Sequence, residues 1–334
     1  MGVDITDIVK TKELKTDDLL GKKIVVDSLN WIYQFLSTIR QFDGTPLKDS
    51  KDRITSHLSG LFYRNAKLLS SGVKMIYVFD GEAPEAKKET SKKRRKIRQK
   101  AKEEWKKAKE KGDFEKARKK SQQSSQITDY IIKSSKTLLD LMGIPAIQAK
   151  GEGESLCAQI VSDGNAYAAA SQDFDTLLFG CPRLIRNLSI SGRKKRGNTY
   201  VNINPEIIFL ESTLKDLNIT RKQLVTLGLL VGTDFNPGGI KGIGPKKGLK
   251  MVKENSFEEI KNKIKWSFDI PIEELFDFFY KEDKTDYKIE KKSLKRDKLI
   301  EFLCDEHDFS LNRIESSLDK LENTNQQQSL SSWM

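Results

Sequence analysis

Seven acidic residues occur in five short motifs, and their spacing points to a metal centre. Two of the motifs, Glu152-Gly153-Glu154 and Asp173-Phe174-Asp175, present carboxylates at positions i and i+2, and such a pair can share one ion or bridge two. Anions gathered in this number repel one another unless cations neutralise them. Oxygen ligands favour Mg²⁺ or Mn²⁺, and two such ions about 3.5–4 Å apart can hydrolyse a phosphodiester bond. The seven candidate ligands are Asp27, Asp80, Glu152, Glu154, Asp173, Asp175 and Asp234.

Some of these acids have ordinary structural explanations when they are taken singly. Asp27 follows an apolar run and could simply cap the next helix. Asp80-Gly81 could be a common turn pair. The metal hypothesis therefore depends on the set of acids and on the two i, i+2 pairs.

Short apolar runs alternate with helical stretches along the chain. The clearest runs span 24–26, 75–79 and 167–170, and weaker ones span 183–190 and 199–203. This alternation predicts an α/β fold with a mostly parallel, twisted central sheet and helices on both faces. The ligands of such sheets collect beyond the carboxyl ends of the strands, where several of the acids stand.

The overall charge indicates a polyanionic partner. The chain has 334 residues, a net charge of +12, a pI near 9.3 and 37% hydrophobic residues. Nucleic acid is the first candidate and an anionic membrane the second. Because no apolar window of about 18 residues occurs and the start lacks a signal-peptide pattern, we expect a cytoplasmic, nucleoid-associated protein without membrane contact. The isolated cysteines and histidines match no zinc motif.

One basic segment carries the excess charge. Residues 87–120 contain 18 Lys and Arg against 6 Asp and Glu, which gives 18 − 6 = +12, the net charge of the whole chain. Its composition predicts a helical insertion with little apolar surface, and Trp105 and Phe114 are its only aromatic residues. A solvated Lys/Glu helix is the alternative, but stabilising i, i+4 pairs need comparable numbers of both charges.

A glycine-rich turn between two helical stretches resembles a helix-hairpin-helix. It spans 232–245, and its glycines would let backbone N–H groups approach a phosphate at the start of the second helix. Such an element binds duplex DNA without reading its sequence. A plain loop is the alternative. The candidate DNA contacts are Gly239, Lys241, Gly242, Gly244, Lys246 and Lys247.

Taken together, the motifs resemble the flap endonucleases in their archaeal form. The resemblance runs along nearly the whole chain, and all seven acids are in register. Ser155 departs from it slightly, because alanine is common there. The matching segments are Gly2, Val25-Val26-Asp27, Val78-Phe79-Asp80-Gly81, Glu152-Gly153-Glu154, Ser171-Gln172-Asp173-Phe174-Asp175, Gly232-Thr233-Asp234 and Gly239-Ile240-Lys241-Gly242-Ile243-Gly244.

The resemblance implies an activity and a role for each matching residue. It implies that two Mg²⁺ ions, replaceable by Mn²⁺, are held by the seven acids, of which Asp80 and Asp173 are also catalytic. Lys87 and Arg94 would reach the scissile phosphate from a basic helical arch through which a single-stranded 5′ flap passes. Tyr33 would stack on a base beside the cut, and Gly2 would lie against the DNA. The implied reaction is removal of 5′ flaps from branched DNA in lagging-strand maturation and base excision repair, with 5′–3′ exonuclease activity.

The end of the chain resembles a binding box for a sliding clamp of the PCNA type. Gln327, Leu330, Trp333 and Met334 stand at positions 1, 4, 7 and 8 of that box. Without the resemblance, a plain disordered end explains the polar tail equally well. Met334 replaces the usual second aromatic residue, which predicts reduced affinity for the clamp.

We expect a single nuclease domain over 1–320 and a monomeric protein. Within the domain we distinguish an N-terminal nuclease region at 1–86, the arch at 87–125, an internal nuclease region at 126–255 with the hairpin at 222–254, and C-terminal helices at 256–320. A flexible tail with the clamp motif covers 321–334.

Three other functions compete with this interpretation. A junction resolvase or a bubble-cutting repair nuclease shares the motifs, but the arch and clamp box together argue against both. A non-catalytic DNA scaffold would be expected to lack some of the acids. An RNA-cleaving nuclease would need neither hairpin nor arch.

Replacing Lys87 or Arg94 by alanine should lower the rate of the chemical step more than DNA affinity, because the predicted role is to neutralise charge that grows on the phosphate. Single-turnover rates and dissociation constants measure the two effects separately. A loss confined to affinity would make these residues ordinary phosphate anchors.

Overall fold

The apolar runs form the strands of a central sheet in the computed structural model. The structure describes residues 2–81, 87–190, 193–196, 199–281, 284–290 and 292–331; for 87–94, 193–196, 199–202 and 324–331 it describes the backbone alone. The strands are β1 (Lys12–Glu13), β2 (Lys23–Asp27), β3 (Lys74–Phe79), β4 (Ala146–Gln148), β5 (Ala168–Ala170), β6 (Arg183–Arg186), β7 (Arg193–Arg196), β8 (Thr199–Asn202) and β9 (Glu206–Phe209).

Seven strands make one mostly parallel sheet, as predicted. Their order is β1-β9-β6-β5-β2-β3-β4, and β6, β5, β2, β3 and β4 run parallel. The β9 strand pairs antiparallel with both β6 and β1. The run at 199–203 lies outside this sheet, since β8 pairs with β7 in a separate two-stranded hairpin.

Helices surround the sheet and supply most of the remaining chain. The predicted helix-turn-helix is present as α9 and α10, and the basic segment forms α3 and α4. The α-helices of the described residues are α1 (Ser28–Thr38), α2 (Ser56–Ser70), α3 (Lys87–Glu110), α4 (Phe114–Gln123), α5 (Asp129–Leu141), α6 (Gly153–Ser162), α7 (Asp175–Leu178), α8 (Leu210–Leu217), α9 (Arg221–Val231), α10 (Pro245–Glu254), α11 (Phe257–Lys263), α12 (Ile272–Tyr280), α13 (Arg296–Ile300) and α14 (Leu311–Ser331).

Two apolar cores lie on opposite faces of the sheet. Successive residues of a strand point to opposite faces, so Val25 enters one core while Ile24 and Val26 enter the other. Helices α6, α7, α9, α10 and α12 cover the first face, and α1, α2, α5 and α14 cover the second. Both faces are buried, which confirms the predicted architecture.

Most of the segment that we predicted as a flexible tail with a clamp motif belongs to helix α14, and its flexibility stays a prediction. Helix α14 continues to Ser331, so the backbone of Gln327 and Leu330 is helical. Glutamine and leucine are good helix formers, and a polar helix can extend into solvent when the turn before it is already packed. Trp333 and Met334 lie outside the described residues.

Gly60 should resist replacement by alanine although it lies inside a helix. A Cβ atom there would come within 2.2 Å of Phe35 Cγ on α1. Overpacking costs about 1–3 kcal/mol, against a helix-propensity gain of roughly 1 kcal/mol. Gly60→Ala should therefore lower the free energy of unfolding measured in urea. The neighbouring Ser59→Ala is the control and should have little effect; equal stability of the two variants would contradict this packing.

Candidate metal centre and DNA-binding elements

Three neighbouring parallel strands bring four acids to one edge of the sheet. Strand β2 lies between β5 and β3, with Val26 paired to Ala170 and Asp27 paired to Val78. Asp27 is the last residue of β2, and Asp80 follows β3 directly. Asp173 and Asp175 follow β5. Chain segments up to 148 residues apart in sequence thus end side by side, which the strand pattern predicted.

Asp27 is both a helix cap and a member of the acidic cluster. Its Oδ1 accepts a hydrogen bond from the backbone N–H of Asn30 at 3.2 Å, and its Oδ2 accepts one from Ser171 Oγ at 3.1 Å. Burial, followed by the charges of Asp80 and Asp173, raises the pKa of Asp27 to about 8. The capping alternative is therefore correct, but it does not exclude a role in metal binding.

The first residues of the chain and helix α1 hold Asp173 and Asp175 by hydrogen bonds. Asp173 accepts hydrogen bonds from the Asn30 side-chain amide at 2.9 Å and from the Gly2 backbone N–H at 3.3 Å. Asp175 accepts one from Val3 N–H at 2.7 Å. Burial raises the pKa of Asp175 to about 7; the Val3 hydrogen bond opposes that rise, and the charges of Asp234 and Asp173 add to it.

Asp80 contacts the start of α6, where Glu152 and Glu154 stand. Its Oδ1 accepts the Gly153 N–H at 2.9 Å, and a Cβ on residue 153 would approach that oxygen to 2.5 Å. A glycine is therefore required between the two glutamates. Burial raises the pKa of the Cys157 thiol one turn further on, and the charges of Asp27, Cys181, Glu154 and Asp80 add to the effect.

The acids suit Mg²⁺ in their chemistry but do not by themselves form a closed coordination shell. Among the described residues, no three His, Cys, Asp or Glu side chains stand together as ligands of one ion. Mg²⁺ usually keeps several waters and takes one or two carboxylates with phosphate oxygens, so a cage of protein ligands is not needed. Burial, with the charges of neighbouring carboxylates, raises the pKa values of Asp27 and Asp175, and a bound cation would favour their charged forms.

Two residues of this site had no role in the sequence-based prediction. Asn30 links Asp27, Asp173 and the backbone N–H of Gln172, while Ser171 Oγ donates to Asp27 and accepts from Asp173 N–H. Ser171 belongs to the motif Ser171-Gln172-Asp173-Phe174-Asp175. Asn30 lies three residues after Asp27, where the backbone N–H usually donates to the N-cap side chain. Gly2, predicted to lie against DNA, is placed against the carboxylates.

The glycine-rich hairpin has the predicted helix-turn-helix form. Helix α10 begins at Pro245 with Gly244 as its N-cap, and Gly242 adopts a φ of +83° with open space where a side chain would lie. The exposed Lys241, Lys246 and Lys247 flank this opening. Backbone donors at a helix N-terminus beside lysines are suited to phosphate, although DNA contact at the hairpin stays a prediction.

Tyr33 lies on α1, where the basic helix α3 approaches it. The Arg98 guanidinium stands over its ring, 5.4 Å from the centroid. Lys87 is the first residue of α3 and Arg94 lies two turns further on, but their side chains are outside the described residues, so their predicted reach to the site is untested.

Sequence profiles of two nuclease regions match the chain. The XPG N-terminal domain matches residues 3–101, and the XPG I-region matches 143–234. The chain is 49% identical to flap endonuclease 1 of Pyrococcus furiosus over 339 aligned residues, which cover 100% of this chain and 99% of that protein. The chain belongs to the flap endonuclease family. As a flap endonuclease it is a DNA hydrolase that acts on branched structures, as the motifs predicted.

Solved structures of flap endonucleases and their relatives share this fold. Flap endonuclease-1 from Methanococcus jannaschii is similar with a TM-score of 0.76 and 37% identity, over 97% of this chain and 98% of that one. The catalytic core of Rad2 in complex with DNA substrate is similar with a TM-score of 0.70 and 25% identity, over 96% and 100% of the two chains. In the described part of this flap endonuclease, no helix is long and apolar enough to cross a membrane.

Without divalent metal, the stability of this flap endonuclease should fall as pH rises from about 4 to about 8. Asp27 has a folded pKa near 8 and an ordinary value of 3.8, so across that range the native state binds the extra proton, and each pH unit costs up to about 1.4 kcal/mol. Urea unfolding in a chelator should therefore show that Asp27→Asn gains stability relative to the wild type as pH rises.

Comparing the two proteins at each pH separates Asp27 from His57, whose burial lowers its pKa to about 3 and which titrates identically in both. The exposed Asp52→Asn is the control and should parallel the wild type. Parallel curves for Asp27→Asn and the wild type would mean that burial and neighbouring charges do not hold Asp27 protonated.

Proposed function

We propose that this flap endonuclease cuts 5′ flaps from branched DNA by two-metal-ion hydrolysis and also degrades 5′ ends exonucleolytically. The observation that supports the proposal most is the acidic cluster at the carboxyl edge of the sheet, where burial and neighbouring carboxylates raise the pKa values of Asp27 and Asp175. Bound cations neutralise such a cluster, and perturbed pKa values of this kind are typical of functional sites.

The seven acids would hold two Mg²⁺ ions, which Mn²⁺ can replace. When bound, the ions supply an activated water and stabilise the leaving oxygen. Around them the chain's own residues fix the carboxylates: Asn30 and Ser171 orient Asp27 and Asp173, and the Val3 N–H orients Asp175. Fixed ligands lower the cost of reorganisation when charge develops during cleavage.

Lys87 and Arg94 act in the same reaction from the basic helix α3. Their charges neutralise the phosphate oxygens as water attacks in line. Tyr33, whose ring lies under the Arg98 guanidinium, stacks on the base next to the cut. Substrate choice comes from shape, because stacking and phosphate contacts read no sequence.

The α9–α10 hairpin holds the duplex arm of the substrate. Gly239, Lys241, Gly242, Gly244, Lys246 and Lys247 contact its phosphates, and Gly2 lies close to the DNA at the metal site. The C-terminal motif of Gln327, Leu330, Trp333 and Met334 binds a PCNA-type sliding clamp. The protein acts as a monomer in the cytoplasm, close to the nucleoid, during lagging-strand maturation and base excision repair.

The pure protein should be incubated with Mg²⁺ and three end-labelled DNAs: a double-flap junction, a four-way junction and a blunt duplex. The wild type should release the 5′ flap selectively. Asp173→Ala should abolish cutting and largely spare DNA binding, because it removes a ligand and leaves the hairpin intact. Asp17→Ala, an exposed acid near the first strand, is the matched control and should cut normally.

Each other outcome would indicate a different function. Preferred cutting of the four-way junction would indicate a resolvase, and binding without cutting would indicate a scaffold that keeps the fold. Full cleavage by Asp173→Ala would remove that residue from the site and contradict the assigned ligand set.

A further inference from the structure

The turn at residues 41–45 lies in the connection between α1 and α2. It packs against the basic hairpin that α3 and α4 form. Its backbone closes on itself through a hydrogen bond from Gln41 N–H to Thr45 O at 2.8 Å. Side chains and backbone atoms of both α3 and α4 contact it, as described below. The turn thus joins the hairpin to the body that carries α1 and Tyr33.

Asp43 is the centre of the contact with α3. Its carboxylate accepts a salt bridge from Lys109 Nζ at 2.7 Å, and its backbone oxygen accepts the Trp105 indole N–H at 3.1 Å. Lys109 also donates to Thr45 Oγ1 at 3.0 Å, and Thr45 N–H donates to the Asp43 carboxylate at 2.8 Å. The Lys109 hydrogen bond, with the others, holds the pKa of Asp43 at about 2, so the carboxylate is charged under all ordinary conditions.

Gly44 forms the contact with α4. It adopts a φ of +83°, and a Cβ there would lie 2.5 Å from Ser121 Oγ and 3.2 Å from Arg118 Cα. Its carbonyl oxygen accepts from Arg40 Nη1 at 2.8 Å, while Arg40 Nη2 donates to Ser125 Oγ at 2.7 Å. Arg40 therefore ties the turn to the end of the hairpin.

These polar contacts matter because the hairpin buries little apolar surface. Its buried apolar residues are alanines, Ala101, Ala108 and Ala117, which contribute small areas. Phe114 is 43% exposed and contacts Phe42, which is itself 71% exposed. Apolar burial alone therefore cannot set the angle of a hairpin that is also strongly self-repelling in charge.

We propose that Asp43 and Gly44 are positioning residues for cleavage, which hold the α3–α4 hairpin at the angle that places the start of α3 for the reaction. The inference rests on the proposed role of Lys87 and Arg94, which stand at that end of α3. Neither Asp43 nor Gly44 touches the acidic cluster, and each acts through the helix.

Because α3 is long, a small change of its angle at the 41–45 turn moves its first residues by several ångströms. Trp105 lies eleven residues after Arg94 in the same helix, or about 16 Å at 1.5 Å per residue. A tilt of roughly 10° about Trp105 would move the backbone at Arg94 by about 3 Å over that length. A misplacement of about 1 Å can already cost on the order of a hundredfold in rate.

The first test compares two glycines that have the same backbone strain. Gly44 and Gly164 have φ values of +83° and +77°, but only Gly44 has a neighbour within 4 Å. Gly44→Ala and Gly164→Ala share the strain of a left-handed alanine, so any additional effect at residue 44 comes from the contact with α4. Single-turnover cleavage of the double-flap DNA by Gly44→Ala should be roughly tenfold to a hundredfold slower than by Gly164→Ala.

The second test removes the salt bridge without changing the backbone. Asp43→Asn, Lys109→Gln and the double variant form a cycle, and Lys107→Gln, an exposed lysine of the same helix, is the control for lost charge. If the two residues act through their contact, the double variant should cut no more slowly than the slower single variant. Lys107→Gln should cut like the wild type.

Three readouts separate positioning from general stability. In Asp43→Asn, the Kd for duplex DNA should change by less than roughly twofold, and the urea midpoint should stay at the wild-type value. Trypsin should cut within 87–120 faster in Asp43→Asn than in the wild type, which has the same Lys and Arg sites. Wild-type rates and trypsin patterns in Asp43→Asn would overturn the inference, as would a rate loss fully matched by lost affinity. Failure of the wild type to cut any flap would instead overturn the proposed function.

Discussion

The mutual repulsion of carboxylates at one edge of the sheet is the constraint on which the site depends. Burial, with the charges of neighbouring acids, raises the pKa values of Asp27 and Asp175 far above the ordinary range. A fold tolerates such a cluster only if other bonds keep its members from moving apart. Backbone N–H groups of Gly2, Val3 and Gly153 and the side chains of Asn30 and Ser171 provide those bonds.

A parallel sheet with two buried faces is well suited to this purpose. Adjacent strands end at the same edge, so β2, β3 and β5 deliver acids from distant parts of the chain without long side chains. Cores on both faces prevent the strands from sliding under the repulsion, because a shift of one residue would exchange Val25 with Ile24 and Val26 between the two cores. The apolar packing that fixes the strands therefore lies directly beside the acidic cluster.

The sequence predicted those parts of the molecule that depend on local patterns. Continuous apolar runs marked β2 and β3, acids at their ends marked the site, and glycines between helices marked the α9–α10 turn. It did not predict β9, which pairs antiparallel, because that pairing depends on tertiary neighbours more than on pattern. Asn30 was missed because an amide carries no charge and no motif spacing, although it joins two of the acids.

The two large charges of the chain lie on different elements, and each needs a different partner for neutralisation. The anionic edge needs cations, whereas the basic hairpin of α3 and α4 needs phosphate, and the body holds that hairpin mainly through polar contacts of the 41–45 turn. In the proposed function, metal ions and DNA supply these two counter-charges together, so the free energy of assembling the reactive complex comes from the substrate and its ions.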